Sequence, residues 1–208
     1  FQIFHFGTPL FPPLSLNINA GEIASIMGPS GCGKSTLLSA ISGNLAEVFT
    51  LQGDVLLKGN SVLTLPMEKR RIGIQFQDDL LFPHMNISEN LAFALPAQMG
   101  KKERREKIAE ALEKADLRNF EKRDPATLSG GQRARVSLLR SMLAEPSALL
   151  LDEPFSKLDQ ELKNQIRPFV FKTIKSMNIP ALIVSHDHRD FPQGKIINLA
   201  KPVNSHVG

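Results

Sequence analysis

A chain of 208 residues with 42% apolar side chains suits one large domain, or one domain with an insertion, and is far from a disordered composition. Its 25 Lys and Arg against 21 Asp and Glu leave a net charge of +4, a mild and dispersed excess that argues against the concentrated basic face of a nucleic-acid binder. One cysteine, Cys32, excludes an internal disulfide and fits a reducing compartment, and no apolar run approaches the ~20 residues of a membrane helix. The start, Phe1-Gln2-Ile3-Phe4, shows no basic leader before an apolar core, so no signal peptide is expected. Any membrane-spanning part is expected on another chain.

Along the chain, Leu14-Ser15-Leu16-Asn17-Ile18-Asn19 alternates apolar and polar and predicts a half-buried strand, with Ala20-Gly21 as the turn after it. Residues 23–27 predict a strand running into a glycine-rich loop, and 34–42 the helix beyond it. Residues 53–57 and 72–76 are short strand candidates. From about Asp78 the texture changes: Ser88 is expected to cap a helix start, and 101–115 places Ile108, Ala111, Leu112 and Ala115 on one face. Residues 78–135 thus read as a helical insertion between core segments 1–77 and 136–208. The apolar runs 148–151 and 181–184 suit strands covered on both faces of a parallel sheet. Residues 160–177 predict a helix that Pro168 breaks or kinks into two shorter ones, since an interior proline costs about 3 kcal/mol and removes a hydrogen bond.

The glycine-rich loop is Gly28-Pro29-Ser30-Gly31-Cys32-Gly33-Lys34-Ser35-Thr36, a G-x-x-x-x-G-K-[ST] phosphate cradle between strand and helix. A triphosphate needs many donors at close range and little steric bulk. Glycines at 28, 31 and 33 let the backbone turn its N–H groups inward, and the following helix adds the positive end of its dipole. Lys34 supplies a point charge for the β and γ phosphates, Ser35 a hydroxyl for Mg²⁺, and Thr36 a reach toward the α phosphate. Cys32 reads as a passive small residue in preference to a redox switch, yet its place in the loop predicts that thiol alkylation blocks ATP hydrolysis and that nucleotide protects.

Leu149-Leu150-Leu151-Asp152-Glu153 is an apolar strand ending in two acids, which calls for a cation or a reaction to meet them. Asp152 fits the Mg²⁺ shell, and Glu153 fits the base that orients and deprotonates the attacking water.

Leu128-Ser129-Gly130-Gly131-Gln132 supplies a second anion-binding helix start, with Ser129 as cap and two glycines leaving the N-terminus bare. With the phosphate loop upstream, the chain resembles the ATP-binding cassette family, over nearly its whole length. The resemblance implies one α/β domain, 1–208: a P-loop NTPase core with a mostly parallel sheet, a small antiparallel β-subdomain and an inserted helical subdomain carrying the signature. It implies ATP and Mg²⁺ as ligands, and a head-to-tail pair in which Ser129, Gly130, Gly131 and Gln132 of one subunit close on the nucleotide of the other. Phe76-Gln77-Asp78 is similar to the family's glutamine loop, with Gln77 at Mg²⁺ or water. Ser156-Lys157-Leu158-Asp159 is similar to the D-loop, with Asp159 reaching across the dimer, and Ser185-His186-Asp187 to the switch histidine, with His186 at the γ phosphate. The chain also departs from the pattern. It has no Tyr and no Trp, so the adenine-stacking aromatic falls to a phenylalanine, Phe6 being the candidate with Phe4 and His5 beside it. Lys157 stands where many members have Ala. The chain ends soon after His186, so no C-terminal regulatory domain is expected.

Arg123-Asp124-Pro125-Ala126-Thr127 lacks the acidic Gly-Glu-Arg segment of family exporters, while Leu81-Phe82-Pro83-His84-Met85 resembles bacterial importers of sulfate, polyamines, thiamine or ferric iron. The resemblance then implies transmembrane permease subunits, a second ATPase subunit (a homodimer or a paired chain) and a periplasmic or surface solute-binding protein. It places the chain peripherally on the cytoplasmic face of the plasma membrane. The alternatives are a stand-alone ATPase for export or envelope remodelling and a non-transport ATPase. A DNA-repair clamp needs a long coiled coil, a ribosomal factor needs two cassettes, and a small-molecule kinase has no use for residues 129–132.

Overall fold

The computed structural model describes residues 1–191 and 195–199, so the expected domain 1–208 extends beyond the described residues at 192–194 and 200–208. In chain order the elements begin with β1 (Gln2–His5), β2 (Thr8–Pro9), β3 (Ile23–Met27), α1 (Lys34–Ser42), β4 (Phe49–Gln52), β5 (Leu56–Leu57), β6 (Asn60–Ser61) and β7 (Ile72–Gln75). They continue with α2 (Ile87–Ala92), α3 (Lys101–Lys114), α4 (Gly130–Leu143), β8 (Ala148–Asp152), α5 (Gln160–Met177), β9 (Ala181–Ser185) and β10 (Ile196–Asn198).

The centre is a five-stranded parallel sheet in the order β10-β3-β9-β8-β7. Its inner strands β3, β8 and β9 are apolar except at Ser25, Asp152 and Ser185, because successive side chains point to opposite faces and both faces are covered. Ala24, Ile26, Leu150, Leu182 and Val184 pack with Leu37 and Leu38 of α1. Ile23, Leu149, Leu151, Ala181 and Ile183 pack on the other side with Leu138 of α4 and Ile166, Val170 and Ile174 of α5. A three-stranded antiparallel sheet, β2-β1-β4, and the β5–β6 hairpin complete the strand content of the described residues. The α/β class with a parallel core and a small antiparallel sheet is as expected.

A third cluster, separate from the sheet, joins Ile87 and Leu91 of α2, Ile108 and Leu112 of α3, and Val136 and Leu139 of α4. Helix α4 serves two cores, since Ala134 and Leu138 face the sheet. The sequence division at 135/136 falls inside this helix. No helix among the described residues is long and apolar enough to cross a membrane.

Four local expectations are corrected. Residues 14–19 join no ladder, although Leu14, Leu16 and Ile18 are turned toward the core and their polar neighbours outward. Their alternation records one-sided burial, and among the described residues their strand-like tie is the reciprocal pairing of Phe1 with Leu14. In 53–57 only Leu56–Leu57 is strand, because Gly53 turns at φ +98° against the Phe1 backbone. Helix α2 is capped by Asn86 and not by Ser88: the Asn86 side chain accepts from the Glu89 N–H, and Glu89 accepts in return.

Helix α5 runs unbroken through Pro168. The proline and Asn164, whose carbonyl loses its partner, are both exposed, so that carbonyl is not left in an apolar interior. Ile166, Val170 and Ile174 hold the helix to the sheet on either side of it. The cost is tolerated, not absent. Pro168→Ala is expected to raise unfolding free energy by about 1–2 kcal/mol, the helix gain less the unfolded-state entropy a proline removes. Urea denaturation checks this; an unchanged or lower midpoint would show that the proline is accommodated without cost.

Candidate nucleotide site

Strand β3 delivers the chain into the loop at Gly28, where a Cβ would lie 2.6 Å from both the Cys32 Sγ and the Leu199 carbonyl oxygen. Gly33, at φ +97°, caps α1 without any side-chain bond, so the first-turn N–H groups of α1 face the loop mouth. Lys34 is 7% exposed, and its Nζ donates to the carbonyls of Gly28 and Pro29 at 2.9 and 3.0 Å, which shapes the loop around the ammonium. Beside it opens a cavity of about 380 Å³ lined by Ser30, Gly31, Gly33, Lys34, Ser35 and Thr36 on one side and by Glu153, His5, Leu10 and Phe49 on the others. Glycine-loop backbone, a lysine, a carboxylate and two rings thus share one concavity.

The acids arrive from β8. Burial pushes the Asp152 carboxyl above its ordinary range, while a hydrogen bond from Ser35 and the charge of Lys34 oppose the rise. Among the described residues no three His, Cys, Asp or Glu side chains converge to hold a metal. One carboxylate and one hydroxyl are an incomplete shell, which fits a Mg²⁺ ion that shares its remaining positions with phosphate oxygens and water. Glu153 adopts φ +45°, a left-handed conformation costly for a non-glycine residue. Three bonds hold it there: its N–H donates to the Val184 carbonyl at 2.9 Å, and its carbonyl accepts from the Ser156 N–H and Oγ at 3.1 and 2.9 Å. His186, at the end of β9, places Nδ1 3.1 Å from Glu153 Oε2. Lys34, Ser35, Asp152, Glu153 and His186 are therefore one cluster.

The other expected residues lie around it. Gln77 is exposed just beyond β7 and does not line the cavity. Its neighbour Asp78 pairs with Lys157, and Arg140 and Ser137 of α4 donate to the Asp79 carbonyl, tying the segment after β7 to the signature helix. Asp159 caps α5, accepting from the Leu162 N–H at 2.9 Å. Ser129 and Gln132 form a capping box on α4. The two signature glycines differ: Gly130 has room for a side chain, whereas a Cβ on Gly131 would sit 2.6 Å from Leu162 Cδ1, so this glycine sets how closely α4 approaches α5. None of residues 129–132 lines the cavity.

Phe6 is 80% exposed and absent from the cavity wall. The rings in the wall are His5 and Phe49, 5.0 Å apart and paired across β1 and β4. Phe49 went unnoticed in the sequence because no motif surrounds it; only the antiparallel register brings it to the loop. Cys32 is also corrected: its thiol points into the core beside Leu37 and is 1% exposed, so it is not open to reagents from the loop.

Residues 11–156 match the ABC transporter family. The chain belongs to that family. YnjD of Escherichia coli (strain K12), an uncharacterized ABC transporter ATP-binding protein, is 46% identical over 92% of this chain and 89% of its own length. The spermidine/putrescine import ATP-binding protein PotA of Bacillus thuringiensis (strain Al Hakam) is 40% identical over 89% of this chain, which spans 57% of that relative's length. Among solved structures, the dimeric bacterial ABC transporter cassette MJ0796 superposes with a TM-score of 0.77 at 32% identity, over 92% of this chain and 87% of that one. The same cassette is also known as a dimer in a post-hydrolysis state bound to ADP and Pi, again with a TM-score of 0.77. The chain is an ABC ATPase, using ATP and Mg²⁺.

Two outcomes follow from the packing. Gly131→Ala is expected to lower stability by about 1–3 kcal/mol through overpacking against Leu162, while Gly130→Ala stays within about 0.5 kcal/mol of wild type in chemical denaturation. Equal losses would contradict the asymmetry. A thiol reagent is expected to label Cys32 slowly in the native protein and fast in urea; comparable rates would show that the thiol is reachable from the loop.

Proposed function

We propose that this ATPase drives a bacterial ABC importer, with two copies closing head to tail on two ATP molecules. The observation that carries the pairing is the separation of the two anion-binding helix starts. The loop before α1 lines the cavity, while the Ser129-capped start of α4 faces solvent away from it. A second subunit brings that tip, with Asp159 beside it, to the open side of the first subunit's nucleotide. MJ0796 is known as a dimer, and the import ATPase PotA supports the importer direction.

In the chemistry proposed, the loop N–H groups and Lys34 hold the β and γ phosphates, and Asp152 and Ser35 hold Mg²⁺, which supplies charge neutralisation on the phosphate oxygens. Glu153 accepts a proton from the water as its oxygen attacks the γ phosphorus and the bond to the ADP oxygen breaks. His186 orients Glu153 and meets the γ phosphate, and Gln77 reaches the water or the metal. Adenine lies against His5 and Phe49, with Phe6 free to fold over it. Residues 78–135 form the helical subdomain, on whose surface Leu80 and Phe93 are 54% and 67% exposed. Phe82 packs edge-on against Phe93 at 4.9 Å. This apolar patch, joined to Gln77 through Asp79, is where the permease docks. That attachment holds the chain on the cytoplasmic face of the membrane, with a solute-binding protein on the far side.

Glu153→Gln keeps the shape of the site and removes the base. Turnover is expected to fall roughly 10²–10⁴-fold with ATP affinity retained and ATP-dependent dimers trapped, read by phosphate release and by light scattering. Wild-type turnover would show that another group activates the water. Purification from detergent-solubilised membranes is expected to bring down a polytopic partner, lost in Phe93→Asp; a ribosomal or DNA partner would overturn the transport reading.

A further inference from the structure

We propose that Ser185, Asp190 and Arg167 form a buried positioning array that sets His186 against Glu153; the proposal rests on the reading of His186 as a contact of the γ phosphate. Ser185 is the last residue of β9 and 1% exposed. Its Oγ donates to Asp190 Oδ2 at 2.6 Å and accepts from the Asp187 N–H at 3.1 Å. One hydroxyl just before His186 therefore holds the chain just after it, and the His186 side chain is 59% exposed and meets Glu153.

Asp190, also 1% exposed, is a charge that burial makes expensive unless it is fully partnered. Its Oδ1 accepts from Arg167 Nε at 2.9 Å and from Nη2 of the same guanidinium. Arg167 is 8% exposed on α5, where its planar fork also lies 3.6 Å from the Asp187 carboxylate. Lys163, one turn earlier on α5, reaches Asp187 at 3.6 Å, and Arg189 pairs with it at 2.9 Å. Both carboxylates that follow the histidine are thus fastened to α5. That helix begins at Asp159, so the same rigid rod joins the D-loop to the histidine loop. A solvent-facing histidine needs such backing, because a displacement of about 1 Å of a reacting group costs on the order of a hundredfold in rate.

The array acts through His186, and that separates it from a network that only closes the end of the sheet. Ser185→Ala and Asp190→Asn are each expected to lower kcat roughly ten- to a hundredfold, with ATP affinity within about threefold of wild type, a split that marks lost transition-state alignment. Ser185→Thr, which keeps the hydroxyl, is expected to retain turnover within about threefold. In a His186→Ala background, single-turnover measurement is expected to show that Ser185→Ala costs less than about twofold more, since coupled residues are non-additive. The same loss in both backgrounds would overturn the array, as would a lowered Tm with kcat unchanged. Wild-type turnover in His186→Ala alone would instead sink the assignment of His186 on which the array depends.

Discussion

Parallel pairing of β7, β8, β9 and β3 is the constraint on which the site depends. In a parallel sheet every strand ends on the same edge, and the register here aligns those ends closely: Met27 lies opposite Ser185, Val184 opposite Asp152, and Leu151 opposite Gln75. The phosphate loop, the carboxylate pair, the histidine and the glutamine segment each begin within two residues of these positions. Segments more than a hundred residues apart in the chain thereby meet at one edge: Glu153 shares the cavity with the glycine loop, His186 sits against Glu153, and Gln77 lies nearby outside the cavity, at the strand ends where open α/β sheets bind their ligands. Burial of both faces makes the register stiff, because a slip of one residue would turn the apolar rows of β3, β8 and β9 to the wrong helices.

Against that rigid edge, the reactive groups are held by polar contacts that cost stability and return geometry. Lys34 is buried and solvated by two carbonyls of its own loop. Glu153 takes a left-handed backbone that only its bonds to Val184 and Ser156 maintain. Behind His186, two carboxylates share one guanidinium on α5. The same logic extends outward. Asp79 is half buried, its carboxyl raised by desolvation and lowered by Arg133 and Lys157, and its carbonyl is held by α4. The route from the apolar patch near Phe93 to the signature helix and on to the glutamine segment is a continuous set of such contacts.

The motifs that named the chemistry are contiguous, and their meaning is local. A glycine loop ahead of a lysine, an apolar strand ending in Asp152 and Glu153, and a Ser129 cap before two glycines each lie in neighbouring residues, so their local geometry was readable without coordinates. The parallel sheet was readable too, from apolar runs that only a strand covered on both sides can bury. What local pattern misjudged was context. Pro168 looks like a helix breaker in isolation, yet on a well-anchored helix with its ring exposed the cost is tolerated and the helix continues. Cys32 looks accessible in a loop, yet it is buried where the Pro29–Cys32 turn closes.

Chain chemistry alone therefore singled out the groups proposed to meet phosphate, metal and water, because that proposal depends on residue type and short spacing. Folding decided which distant residues join them: Phe49 beside His5 through the β1–β4 register, Leu162 against Gly131, and Arg167 with Asp190 behind His186. These pairings are separated by about 20 to 45 positions in the sequence. No periodicity records them, since each arises only when packed elements fix the distance between two otherwise unremarkable side chains.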